Sequence, residues 1–223
     1  MTSEVIIRYN RILTSPDNLI FETLSKFVNA TVIILIDNGV TEIPSNAFKN
    51  IVGKQDKLET LFLGGGALRK LGNNAFSQLK SLTELEITST SIEFISEYAF
   101  EFNEVSDKIL YIHLQDNKLL NSSGFAEYSF TKLKRPTTIQ LDNNINVNFD
   151  NHFPCLDQKI FEPFLRSNVK NKIELYYGSL DCSDCRNYWL QRKPDLLKQV
   201  LNSVCSNKKD LNDTANFQKC GIK

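Results

Sequence analysis

Five cysteines carry most of the reactive chemistry in this chain, and four of them fall in its last 42 residues. Cys182 and Cys185 form a C-x2-C pair inside LDCSDCRNYWL, and Cys205 and Cys220 follow. Thiolates in this pattern offer two chemistries. Four of them can enclose a zinc ion, although the second pair of such a site is commonly about two to four residues apart. Here fourteen residues separate Cys205 from Cys220. The spacing favours a disulfide-bonded cap, with Cys182 paired to Cys205 and Cys185 to Cys220. Closing a loop of about two dozen residues contributes roughly 3–4 kcal/mol in the chain-entropy model. Cys155 is the odd thiol, a buried inert residue or the partner of a cysteine elsewhere. With His152 it makes only two of the four ligands a structural zinc site needs.

Nucleophilic and metal-assisted catalysis find no support. The histidines are His113 and His152, and nothing in the sequence places either beside Cys155. G-x-S-x-G, P-loop and H-E-x-x-H signatures are absent, and the C-x-x-C does not accompany a βαβ pattern. The chain therefore reads as non-enzymatic, with no cofactor and no bound metal. Lysine plus arginine equal aspartate plus glutamate at 26 each, so no overall field draws in nucleic acid or anionic lipid. The longest aliphatic stretch, Val32 to Ile36, is far too short for membrane insertion.

What must position any functional residue is a repeat. LETLFLGGGALRKLGNNAF (58–76) aligns with LTELEITSTSIEFISEYAF (82–100) so that Leu58, Leu61, Leu63, Leu68, Leu71, Ala75 and Phe76 fall on Leu82, Leu85, Ile87, Ile92, Ile95, Ala99 and Phe100. Ile33, Leu35, Asn38, Val40, Ile43, Ala47 and Phe48 make an earlier copy. Ile112, Leu114, Asn117 and Leu119 make a later one, with Phe130 delayed by an insertion. A fifth copy runs through Ile139, Leu141 and Asn144, and a degenerate sixth through Ile173 and Leu175. Successive offsets are 28, 24, 27, 27 and 34 residues. This is the L-x-x-L-x-L-x-x-N-x-L spacing of leucine-rich repeats. The predicted fold is an α/β leucine-rich-repeat solenoid: a curved parallel sheet on the concave side, irregular or short-helical segments on the convex side, and a disulfide-bonded helical carboxyl-terminal cap. The expected division is an amino-terminal cap segment over 1–29, five repeats plus the degenerate one over 30–178, and the cysteine-rich cap over 179–223.

Alternation within each strand sends the leucines inward and the intervening residues outward. Asparagine at the ninth position can satisfy buried backbone where the chain leaves the strand. Gly66 and Thr90 replace it in the middle repeats, which predicts two poorly satisfied or hydrated turns. Phe48, Phe76 and Phe100 should stack into a spine.

The ends are read from helix signals. Val5 to Tyr9 reads as a short strand. Ser15-Pro16-Asp17 reads as a helix start, followed by Ile20, Leu24, Phe27 and Val28 at helical spacing. This segment has no signal-peptide core, as in a mature chain or an intracellular one. At the other end a helix is expected to end near Ser167, another to run from about Asp184 to Leu190, and a Pro194-started helix to reach Leu201. Trp189 should lie over the last repeat.

The repeats followed by LDCSDCRNYWL, PDLLKQV, VCS and a terminal FQKC resemble the carboxyl-terminal flanking cap of extracellular leucine-rich-repeat proteins. More narrowly, the arrangement is similar to secreted arthropod proteins named after the non-catalytic subunit of oplophorus luciferase. That resemblance implies a curved solenoid, secretion, no catalytic centre, and association with another protein. Cap cysteines of many relatives are missing from the amino end, and Cys155 is extra. Disulfides and the sequons at Asn29, Asn121 and Asn212 also fit a secreted, extracellular glycoprotein.

Function then falls to the concave face. Its candidates are an apolar lip of Ile34, Ile36 and Phe62 beside an acidic, aromatic floor of Glu84, Glu86, Tyr111, His113, Gln115, Gln140 and Asp142. Such a strip suits a protein or peptide ligand with basic groups, unless the amino-terminal segment packs over the lip. The alternative is a non-catalytic structural subunit of a larger secreted complex, using one long flank as a permanent contact in an oligomer.

Overall fold

A computed structural model of the protein describes residues 3–8, 19–24, 26–27, 29–49, 57–102, 105–117, 122–141, 144, 155–175, 179–202, 204–205, 211, 213 and 219–220. In chain order its elements are β1 (Glu4–Arg8), α1 (Leu19–Leu24), β2 (Val32–Ile36), β3 (Glu42–Ile43), β4 (Thr60–Gly64), β5 (Lys70–Leu71), β6 (Glu84–Thr88), β7 (Phe94–Ile95), β8 (Leu110–His113), β9 (Thr137–Gln140), α2 (Gln158–Ser167), β10 (Lys172–Glu174), β11 (Ser179–Leu180), α3 (Tyr188–Gln191), α4 (Pro194–Leu197), β12 (Val200–Leu201) and β13 (Val204–Cys205). One long sheet runs β1-β2-β4-β6-β8-β9-β10-β12, with its paired strands parallel. The two-residue strands β3, β5 and β7 form a second ladder where each repeat turns back.

Register follows the leucine spacing. Ile33, Leu61, Leu85, Ile112, Ile139 and Ile173 pair across successive strands and are fully buried. One repeat cannot bury these side chains alone, but stacked repeats make them a continuous core. Behind them the phenylalanine spine is longer than the sequence predicted. Phe48, Phe76, Phe100 and Phe130 stack at 5.9, 6.0 and 5.2 Å between ring centroids. Phe21 of α1 closes one end edge-on against Phe48, and Phe161 and Phe164 of α2 close the other against Phe130.

Within the amino-terminal segment, α1 packs Phe21 on Phe48, and the strand continues the sheet. β1 extends the sheet, with Val5 beside Ile33 and Ile7 beside Leu35. Val5 and Ile7 repeat the L-x-L spacing 28 residues before β2, so this strand belongs to an additional repeat unit. It therefore lies beside Ile34 rather than over it. Ile20 and Leu24 of α1 are buried, whereas Ser15, Pro16, Asp17 and Val28 fall outside the described residues.

The asparagine turns form a hydrogen-bonded ladder. Asn144 donates from Nδ2 to Leu114 O and accepts from Asn117 N. Asn117 donates to Ile87 O and accepts from both the backbone N–H and the hydroxyl of Thr90. The expectation of a poorly satisfied turn at Thr90 is thus wrong, because the next repeat's asparagine supplies the acceptor. A cavity of about 30 Å³ lies beside Gly66, and the buried Oδ1 of Asn38 that lines it has no partner among the described residues. That space suffices for one water molecule.

Arg135 was not anticipated. Its guanidinium is buried and donates to Lys108 O at 3.1 Å, Leu82 O at 2.7 Å and Lys80 O at 3.5 Å. Burial lowers its pKa, and no sequence pattern announces partners 53 and 55 residues away.

Disulfides Cys182–Cys205 and Cys185–Cys220 tie the carboxyl end together, so these thiols are not zinc ligands. Cys155 is buried and belongs to neither disulfide. Asn187 accepts from Leu156 N and donates to Asp181 O, and Trp189 donates to Leu156 O at 2.8 Å. The helix started by Pro194 stops at Leu197 rather than Leu201. Val200 and Leu201 instead pair with Ile173 and Glu174, because an open edge of parallel sheet needs hydrogen-bond partners more than α4 needs another turn.

Candidate functional site: the open face of the long sheet

Outward-facing residues form rows across the strands. One row reads Ile6, Ile34, Phe62, Glu86, His113, Gln140 and Glu174. The row beside it reads Glu4, Val32, Thr60, Glu84, Tyr111, Thr138 and Lys172. Strand spacing of about 4.8 Å sets the pitch of both. Ile36 lies at the end of β2 beside Gly64, and Gln115 follows β8 by two residues. Asp142 lies outside the described residues.

The face changes character along its length. Ile34, Ile36 and Phe62 are half-buried, and Ile6 is 46% exposed, so the apolar lip begins one strand earlier than the sequence suggested. Phe62 folds along its own strand. A methyl group placed on Gly64 would meet its ring at 2.2 Å, so only glycine leaves room for that ring position.

From β6 onward the face is polar. His113 contacts Gln140 Oε1 through Nδ1 at 2.7 Å and approaches Glu84 Oε1 through Nε2 at 3.6 Å. Tyr111, 43% exposed, stacks beside His113 at 6.3 Å. Burial raises the pKa of Glu86, His113 opposes this, and Glu84 adds to it. The arrangement offers two carboxylates, an imidazole, a phenol and an amide within two adjacent strands and their neighbour. It can bind cationic and hydrogen-bonding groups.

Asn29 is exposed, and its side-chain oxygen accepts from Lys57 Nζ at 3.4 Å, whereas Asn121 and Asn212 lie outside the described residues, as does His152. Among the described residues no group of three His, Cys, Asp or Glu side chains is placed to hold a metal ion. No helix there is long and apolar enough to cross a membrane. A concavity of about 910 Å³ lies between α2 and the cap, lined by Glu127, Lys159, Glu162, Trp189, Arg192 and Lys193 among others. Glu162 there is bonded to Lys193 and Arg166, which neutralises much of its charge.

Parallel strands, stacked inward leucines, an asparagine ladder and a phenylalanine spine define a leucine-rich-repeat solenoid, a class that typically builds interaction surfaces rather than catalytic centres. The model of the BspA type leucine rich repeat region matches residues 14–146 in six copies, and the chain belongs to that family. No curated protein matches the chain significantly.

Proposed function

We propose that this chain is a secreted, non-enzymatic recognition module whose open face binds a protein or peptide carrying basic groups. The observation that carries this reading is the juxtaposition of Glu84 and Glu86 on β6 with Tyr111 and His113 on β8, all reaching solvent above a fully buried core. A half-buried carboxylate with a raised pKa does nothing for the repeat itself, and unfavourable charge of this kind concentrates at functional sites. The neighbouring Ile6, Ile34 and Phe62 supply an apolar anchor point for the same ligand. Two disulfides and the exposed sequon asparagine Asn29 support secretion.

Selection from a random peptide display library tests the reading. Recovered peptides should be rich in lysine and arginine, and binding should weaken with salt. The combined Glu84→Lys, Glu86→Lys and Asp142→Lys variant should lose them. Basic enrichment that survives all three reversals would show that the open face is not the site.

A further inference from the structure

The two ends of the long sheet are finished differently. At the carboxyl end the edge strand β12 has two residues and belongs to a segment held by two disulfides. At the amino end β1 has five residues, and among the described residues no strand lies beyond it. A solenoid normally ends in a unit with a polar outer surface, and an uncovered strand edge is a template for pairing. β1 does not meet the first condition. Its inward-facing Val5 and Ile7 pack against the core yet remain half-buried, and Ile6 is 46% exposed on the open face.

The sequence of this strand is complementary to itself. Glu4-Val5-Ile6-Ile7-Arg8 carries an acid at one end, a base at the other and aliphatic residues between. Antiparallel pairing of two such strands about a twofold axis through Ile6 sets Glu4 opposite Arg8 of the second copy, twice. Ile6 then faces Ile6, and Val5 faces Ile7. Side chains directly opposite in an antiparallel pair come within about 4.5–5.5 Å at Cβ, close enough for each of these contacts. Every outward pair is attractive in this register, and a twofold interface requires that kind of self-match. A shift by one residue would send outward side chains to the core side and lose the match.

We infer that β1 is a self-association edge, through which two copies of this chain join their long sheets by antiparallel Glu4–Arg8 strands. The inference is independent of what the open face binds. The joined sheet would have sixteen strands, twice the eight of one copy. It would bring the apolar Ile6, Ile34 and Phe62 of both copies together at its centre, with an acidic strip on either side.

Charge exchange at the strand ends tests this, with mass in solution measured by analytical ultracentrifugation and folding checked by circular dichroism. The unmodified chain should sediment as a dimer. Glu4→Arg sets arginine against arginine and Arg8→Glu sets glutamate against glutamate, so each alone should weaken the dimer by about tenfold or more. The double variant Glu4→Arg/Arg8→Glu should restore it. An equimolar mixture of the two single variants should form a heterodimer, since one copy then carries two bases and the other two acids. A chain that stays monomeric at about 1 mM, where even weak association appears, overturns the inference. So does a dimer indifferent to the single exchanges, or one not restored by the double variant and the mixture.

Discussion

Glu86 is the carboxylate of the open face that the fold accommodates least well. Burial raises its pKa, and Glu84 on the same strand adds repulsion that His113 only partly offsets. With a folded-state pKa above the unfolded one, the protonated form is favoured by folding, and that contribution is lost as pH rises through the folded value. Glu86→Gln should therefore raise the melting temperature at pH 7 and change it little near about pH 3, where the carboxyl is protonated in both states. Thermal unfolding across that range checks the sign. A lower melting temperature at pH 7 would mean that the charge is stabilising. Residue-scale chemistry was only partly legible. The turn positions of Asn38, Asn117 and Asn144 follow from spacing alone. The rescue of Thr90 depends on a side chain 27 residues later, which becomes visible only once the repeats are in register. Arg135 is the extreme case, since its partners belong to repeats far back in the chain.

Among the elements, α2 is the joint between the repeats and the disulfide-held end. Phe161 and Phe164 finish the phenylalanine spine, while the opposite face meets the cap through Glu162. Burial pushes the Glu162 pKa up, but hydrogen bonds from Lys193, Arg166 and Gln158 outweigh it and bring the value to about 2. A depressed carboxylate stabilises above its unfolded pKa, and the contribution disappears as pH falls through the folded value. Glu162→Gln is accordingly expected to lower the melting temperature at pH 7, with the difference shrinking as pH falls toward about 2 and vanishing below it. A loss that stays equal from pH 7 down to that range would assign the effect to packing instead. Pattern reading found this helix because Ile160, Phe161, Phe164 and Leu165 keep helical spacing. It extended α4 too far because local signals do not reveal that β10 needs a neighbour. It read the first strand without its pairing to β2, since a lone strand near the amino end lacks the Ala-Phe signature that marks the later units.

At the scale of the whole molecule, stability is a sum along one axis, each unit touching mainly its neighbours. Loss of one end then need not unfold the other. Reduction of Cys182–Cys205 and Cys185–Cys220 should remove roughly 3–4 kcal/mol per closed loop, and the loss should begin locally. Hydrogen exchange of the reduced protein is expected to quicken first in α3, α4 and β12, while the amides of β4 and β6 hold. Uniform acceleration along the chain would show that the cap and the repeats unfold as one.

Arg135 modifies that picture. Its guanidinium grips carbonyl groups of two preceding repeats, so three consecutive units share one clasp. If the chain were stretched from its two ends, like a zipper drawn from one side, the strands near β1 and β2 would peel away singly at low force. Tearing would then halt before β6 until the clasp gave way, and the following units would release together. Extension curves should therefore show small early steps followed by one large one.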